Sequence, residues 1–170
     1  DKSKVYGAAL PVLTAVYTGF VNGDDAGDLD TPVSLSTTAT ASSPVGTYPI
    51  SAAGAADANY TITHEGGTLT VTPAGLTITA EDKSKVYGAA LPVLTAVYTG
   101  FVNGDDAGDL DTPVSLSTTA TVSSAVGTYP ISAAGAADAN YTITHLGGTL
   151  TVTPAGLTIT AADKSKVYGA

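Results

Sequence analysis

The chain has 170 residues, 44% of them apolar and 12% charged, with a net charge of −9 and no Cys, Arg, Gln, Met or Trp. The apolar share is too high for a disordered polymer, and six Lys against fifteen acids exclude a nucleic-acid partner, which needs clustered cations. Without cysteine there is no disulfide, thiolate metal site or thiol nucleophile, and no apolar run approaches the roughly 20 residues of a membrane span.

The chain opens on DKSKVYGA at 1–8, which returns at 82–89 and at 163–170. Sliding the sequence by 81 residues aligns 1–81 with 82–162, with four differences: Ala41/Val122, Pro44/Ala125, Glu65/Leu146 and Glu81/Ala162. Such a period defines the unit that must fold, and a unit this small buries one modest core. The expected organisation is a first repeat at 1–73 lacking its initial strand segment, a complete second repeat at 74–154, and the first strand of a third at 155–170. Such ends suit a stretch of a longer repeating chain, with export and anchoring signals outside it.

The second repeat shows the elements in full. GLTITA (75–80) alternates Leu76, Ile78 and Ala80 with Thr77 and Thr79, the period of a half-buried strand. Continued into KSKVYG, that period turns Lys83 and Lys85 outward as a charged edge stripe. LPVLTAVYTGF (91–101) places Leu94, Ala96 and Tyr98 on one face. VNGDDAGDLD (102–111) reads as a turn winding into one helical turn capped by Asn103 or Asp105. TPVSLSTTAT (112–121) presents Val114, Leu116, Thr118 and Ala120. VGTYPISAA (126–134) presents Tyr129, Ile131 and Ala133. NYTITHLGGTLTVTP (140–154) reads as a hairpin about Gly147-Gly148, with Tyr141, Ile143, Leu150 and Val152 inward.

Six or seven short strands with regular turns predict an all-β chain of tandem small antiparallel β-domains. An immunoglobulin-like (Ig-like) sandwich is favoured; a β-grasp-like sheet, with DDAGDL as its reduced helix, is the alternative. Between TLTVT and LTIT stand only Pro73, Ala74 and Gly75. A flexible tether is longer and Gly/Ser-rich, so neighbouring repeats are expected to stack as a semi-rigid rod.

KVYGAALPVLTAVYTGFVNGD, VGTYPI, NYTIT and GTLTVTP, in that order, closely resemble MBG-type repeats, the mostly-β, glycine-containing modules of large bacterial surface proteins and adhesins. The resemblance covers essentially the whole chain. It implies an extracellular or cell-surface, non-enzymatic tandem module. The chain departs from that pattern in its acid-rich DDAGDLD and in His64 and His145, where an aromatic is commoner.

The acidic loop is the candidate site. Asp24, Asp25, Asp28 and Asp30, and their copies Asp105, Asp106, Asp109 and Asp111, put four carboxylates within seven residues. Calcium takes six to eight oxygens, and clustered carboxylates with Gly turns supply several. The spacing matches no EF-hand, so a solvated turn is the preferred reading and calcium the weaker one. A single His per repeat makes a poor transition-metal site. By alternation from Tyr60 and Ile62, His64 falls inward at the sheet margin rather than in a catalytic pair. Lys85, Asn140 and Asp138 have the chemistry of a Lys–Asn isopeptide crosslink, which the outward reading of Lys85 disfavours. Alternating Thr suits an outward strand face, and Tyr6, Tyr17, Tyr48 and Tyr60 fall in apolar patterns as core residues.

No catalytic or cofactor-binding set emerges. The expected function is structural: a spacer in a bacterial stalk, fibre or adhesin shaft. Its expected partners are adjacent copies of the same repeat and identical chains in a filament assembled by strand exchange. The alternative is a multivalent binding module with a weak calcium or glycan site in each repeat.

Overall fold

The computed structural model describes residues 1–169. The protein is all-β, and among the described residues there is no helix. The strands are β1 (Lys2–Val5), β2 (Ser34–Thr37), β3 (Gly46–Ala53), β4 (Gly67–Thr72), β5 (Ala74–Ala80), β6 (Lys83–Val86), β7 (Ala96–Thr99), β8 (Ser115–Thr118), β9 (Gly127–Ala134), β10 (Tyr141–Leu146) and β11 (Gly148–Thr153). They form three sheets, ordered β1-β4-β3-β2, β10-β5-β7 and β6-β11-β9-β8.

The second repeat uses the last two sheets. β5 runs parallel to β10, with Ala74 opposite Tyr141, and β6 runs parallel to β11, with Lys83 opposite Leu150. The register offset is the same in both pairs. Residues 74–86 and 141–153 are therefore two long neighbouring strands, each crossing from one sheet to the other. The remaining pairings, β5 with β7, β9 with β11 and β8 with β9, are antiparallel. The sheets are thus mixed rather than purely antiparallel. The two long central strands pair in parallel, which a sandwich of purely antiparallel sheets does not contain.

Two local expectations change. Gly147-Gly148 is no hairpin turn, because the chain runs straight on from β10 into β11. Glycine is needed there because backbone crowds it. A Cβ at Gly147 would meet the Ile131 carbonyl oxygen at 2.9 Å, and one at Gly148 would collide with the Ala80 carbonyl. The DDAGDL segment is a pair of turns rather than a helical turn, with Asp105 N–H donating to the Val102 carbonyl and Asp109 N–H to that of Asp106. Asn103, within the first of these turns, has φ 58°, a left-handed conformation that Asn tolerates and a helix excludes.

The expected inward faces do point inward. Leu76, Ile78, Leu150 and Val152 are fully buried, with Leu94, Ala96, Tyr98, Leu116 and Tyr129 packed around them. Burying Leu76 or Ile78 contributes about 1.5–3 kcal/mol each. Inward parity is even along β5 (76, 78, 80) but odd along β6, since the strand changes sheets at Glu81-Asp82. Lys85 therefore lies buried rather than at a solvent-facing edge. Its Nζ donates to the carbonyls of Ala89 at 2.8 Å and Val122 at 2.9 Å. Lys4 does the same with Ala8 and Ala41, and burial pushes its ammonium below the usual lysine range.

The first repeat builds only its four-stranded sheet. Residues 15–18 and 60–65, the copies of β7 and β10, form no strand. Residues 155–161 repeat the β5 sequence but likewise form no strand and lie exposed. The strand expected over 155–170 is thus not formed in the described part; its final residue, Ala170, lies outside the described residues.

Candidate functional site, the joint between repeats

A single residue, Pro73, separates β4 of the first repeat from β5 of the second. Proline fixes its own φ and restricts its predecessor, so the crossing has little freedom. Ladder bonds continue on both sides of it, with Tyr6 N–H donating to the Thr72 carbonyl and Ala74 N–H to that of Asn140.

The acidic loop of the second repeat closes over this crossing. Asp105 Oδ2 accepts from Tyr6 OH at 3.0 Å and from Tyr141 OH at 2.7 Å. One carboxylate oxygen thereby holds a tyrosine from each repeat. The two rings meet edge-to-face, with centroids 5.6 Å apart, and Phe101 stands edge-on to Tyr141 at 5.5 Å. Such pairs contribute about 0.5–1.5 kcal/mol beyond their buried area. A second bridge runs from Val45 N–H to Asn140 Oδ1 at 3.0 Å. Gly7, at φ +79°, lies so close to Val102 that a Cβ would stand 2.5 Å from its side chain. Tyr6 and Val71 of the first repeat share one buried cluster with Leu76, Ile78, Leu110 and Tyr141 of the second. The joint is therefore continuous core, not a surface contact.

Electrostatics follow the geometry. Burial first, then the neighbouring Asp105 carboxylate, pushes the Tyr141 phenol up to about 12, against the opposing pull of its Val102 backbone contact. Asn103 lowers the Tyr6 phenol, but burial and Asp105 outweigh it and leave it raised. Beyond the crossing, Thr95 and then Lys83 hold the exposed Glu81 carboxyl below its usual range, with the Lys83 ammonium at 3.3 Å.

The eight aspartates are not equivalent. Asp105 clasps the joint, and Asp24, its copy, accepts from Tyr60 OH at 2.7 Å within the first repeat. Asp106 and Asp25 accept from the glycine amides two residues on, at 2.6 Å. Asp109 and Asp28 accept from the Asp106 and Asp25 amides at 2.8 Å. Asp111 and Asp30 tie down the amides of Ala139 and Ala58 at 3.1 Å. The carboxylates thus serve separate donors, and among the described residues no three His or acidic side chains converge as a metal cage would require.

The other candidates are dispersed. His64 lies exposed rather than inward, its Nε2 accepting from the Ala55 amide at 3.1 Å, while His145 is half-buried with that nitrogen unpartnered. Lys85 is committed to two carbonyls and Asn140 to the joint, so the crosslink trio is not assembled. The sequence reading missed both Tyr6 as the joint's key and Lys85 as a buried donor. The change of parity across Glu81-Asp82 is the signal that identifies Lys85.

A search of curated proteins found no match to the chain. A family model described as MBG domain (YGX type) matches residues 1–70 and again residues 76–151. The two matches span most of the sequence, fall on the two repeats whose joint is described above, and show that the chain belongs to the MBG domain (YGX type) family.

Proposed function

We propose that the chain is a non-enzymatic structural repeat of an extracellular or cell-surface bacterial stalk, fibre or adhesin shaft, acting as a semi-rigid spacer. The observation that carries this reading is the joint. One proline, a shared apolar cluster and the Tyr6–Asp105–Tyr141 clasp couple one repeat to the next. A catalytic domain gains little from a near-identical neighbour, whereas a rod gains length with each copy.

Only Pro73 separates β4 from β5, and on this reading length adds along the strands. At about 3.3 Å per residue, residues 141–153 span roughly 40 Å, which sets the advance per repeat. Small-angle scattering on chains of two, four and six repeats tests the reading. The expected maximum dimension grows by roughly 35–40 Å for each repeat added; a dimension that stops growing rejects the rod. A calcium site in each repeat, part of the alternative reading, needs convergent oxygens, and the aspartates here are engaged one by one with amides and phenols.

A further inference from the structure

The chain holds nine Tyr but no Cys, Met or Trp. Cys and Met are the side chains that oxidation ordinarily attacks first. Without them, and without Trp, tyrosine is the most readily oxidised side chain left. Where the tyrosine rings stand therefore decides what oxidation does to this protein.

Among the described residues, Tyr6 and Tyr141 are the one pair of tyrosines in ring-to-ring contact; every other aromatic pair contains a Phe. The pair spans the joint, with one ring from each repeat and centroids 5.6 Å apart. Both phenols donate to Asp105 Oδ2, at 3.0 Å and 2.7 Å, so the two hydroxyls are gathered about one atom. The ring carbons beside those hydroxyls, where the unpaired spin of a phenoxyl radical concentrates, are drawn together with them. The same carboxylate is a base in contact with both phenolic protons. The Tyr141 phenol, pushed up to about 12 chiefly by burial, keeps its proton at neutral pH. An electron therefore leaves it only together with that proton, and Asp105 is placed to take the proton.

The two rings are 8% and 7% exposed, too little for a bulky oxidant to touch. A row of rings leads out from them. Phe101 stands edge-on to Tyr141 at 5.5 Å, and Tyr98, half-buried on β7, stacks on Phe101 at 5.6 Å. An electron crosses such ring contacts without any collision at the buried pair.

We propose that Tyr6 and Tyr141 form a site of oxidative coupling, at which a one-electron oxidant such as a peroxidase-activated peroxide joins them as dityrosine and staples neighbouring repeats covalently. The inference goes beyond the spacer reading and does not depend on it. Each phenol gives one electron to the oxidant and one proton to water by way of Asp105 Oδ2. The rings turn from edge-to-face, and the two phenoxyl radicals join in a carbon–carbon bond between the positions ortho to oxygen. The hydrogens displaced from those carbons return to the phenol oxygens. Two electrons and two protons leave for each link, and one peroxide takes them up as two waters. Asp105 then still accepts from both hydroxyls, so the staple keeps the clasp it replaces.

The test illuminates the full 170-residue chain, at dilution, with ruthenium tris-bipyridyl and persulfate, each persulfate accepting two electrons and leaving as two sulfates. Cleavage after lysine puts Tyr6 in residues 5–83 and Tyr141 in residues 86–164. The one-chain species is expected to lose two hydrogens in mass, to gain dityrosine fluorescence, and to yield these two peptides joined through Tyr6 and Tyr141. Tyr6→Phe is expected to abolish the link. Tyr129→Phe, at a hydroxyl that donates to the Ala125 carbonyl, is expected to leave the yield at the wild-type level. Tyr98→Phe keeps the pair in place and is expected to lower the yield severalfold, because the outer end of the row is no longer oxidised. A one-chain species without the link overturns the proposal, as do links spread evenly over the other tyrosines or a wild-type yield in Tyr6→Phe. Full yield in Tyr98→Phe overturns the row as the route. None of these results touches the spacer reading, which stands or falls on the scattering series.

Discussion

The first and second repeats differ at four of 81 aligned positions, yet only the second forms its three-stranded sheet. β7 and its copy at 15–18 are identical in sequence, and the one difference within β10, Glu65/Leu146, falls on its last residue. What differs is the presence of a strand between them. β5 supplies ladder partners to both β10 and β7; without it, the same residues have nothing to pair with. Strand structure here is a property of the assembled sheet rather than of the local sequence.

That comparison can be broken most severely at Ile78. Ile78→Asp places an unpaired charge in the core and is expected to cost more than about 4 kcal/mol. Amide exchange should show β7 and β10 losing protection, so that the second repeat comes to resemble the first. The identical change at Ile159 is expected to leave the melt of a dilute sample within about 0.5 kcal/mol of wild type, as at other exposed sites. Next in size is Lys85→Met, which strips the Ala89 and Val122 carbonyls of their donor. A loss of about 1–3 kcal/mol in chemical denaturation is expected.

The joint sharpens the comparison further. Tyr6→Phe removes a hydrogen bond to a carboxylate and is expected to weaken the coupling by about 1.5–3 kcal/mol. Residual dipolar couplings should then report greater freedom between repeats that each remain folded. Tyr87→Phe, at the half-exposed copy, is expected to change neither quantity in a dilute sample. Alkaline titration probes the same clasp. The folded Tyr141 phenol is raised to about 12 from an ordinary 10, so its contribution is complete below pH 10 and lost as pH climbs through 12. Thermal melts should therefore hold steady up to pH 10 and fall between 10 and 12. The smallest effect expected is from calcium: melts in calcium and in chelator should coincide, and a shift of several degrees would reinstate the acidic loop as an ion site.

Much of this architecture was legible in the residues. Alternation identified the inward faces at 94, 96 and 98, at 129, 131 and 133, and at 141, 143, 150 and 152. The 81-residue period located the repeats. The parallel central pair was not legible, because Gly147-Gly148 carries the chemistry of a turn as well as that of close backbone approach, and only the position of the Ala80 carbonyl decides between them. Lys85 was misplaced because one parity was carried through Glu81-Asp82, where the chain changes sheets. The acidic loop stood out in the sequence by its four carboxylates within seven residues. Its role was hidden because Asp105 acts on Tyr6, 99 residues away in sequence.

The parallel alignment of 74–86 with 141–153 has a mechanical consequence. Tension enters each repeat at the start of one of these strands and leaves at the far end of the other. It therefore loads their hydrogen bonds together, in shear, rather than peeling them one at a time. Forced rupture is a rate process set by the unfolding barrier, and shear places many bonds in that barrier at once. Pulled by its ends in a force microscope, the second repeat should yield in one abrupt high-force event, and a gradual low-force unzipping would show that the load takes another path.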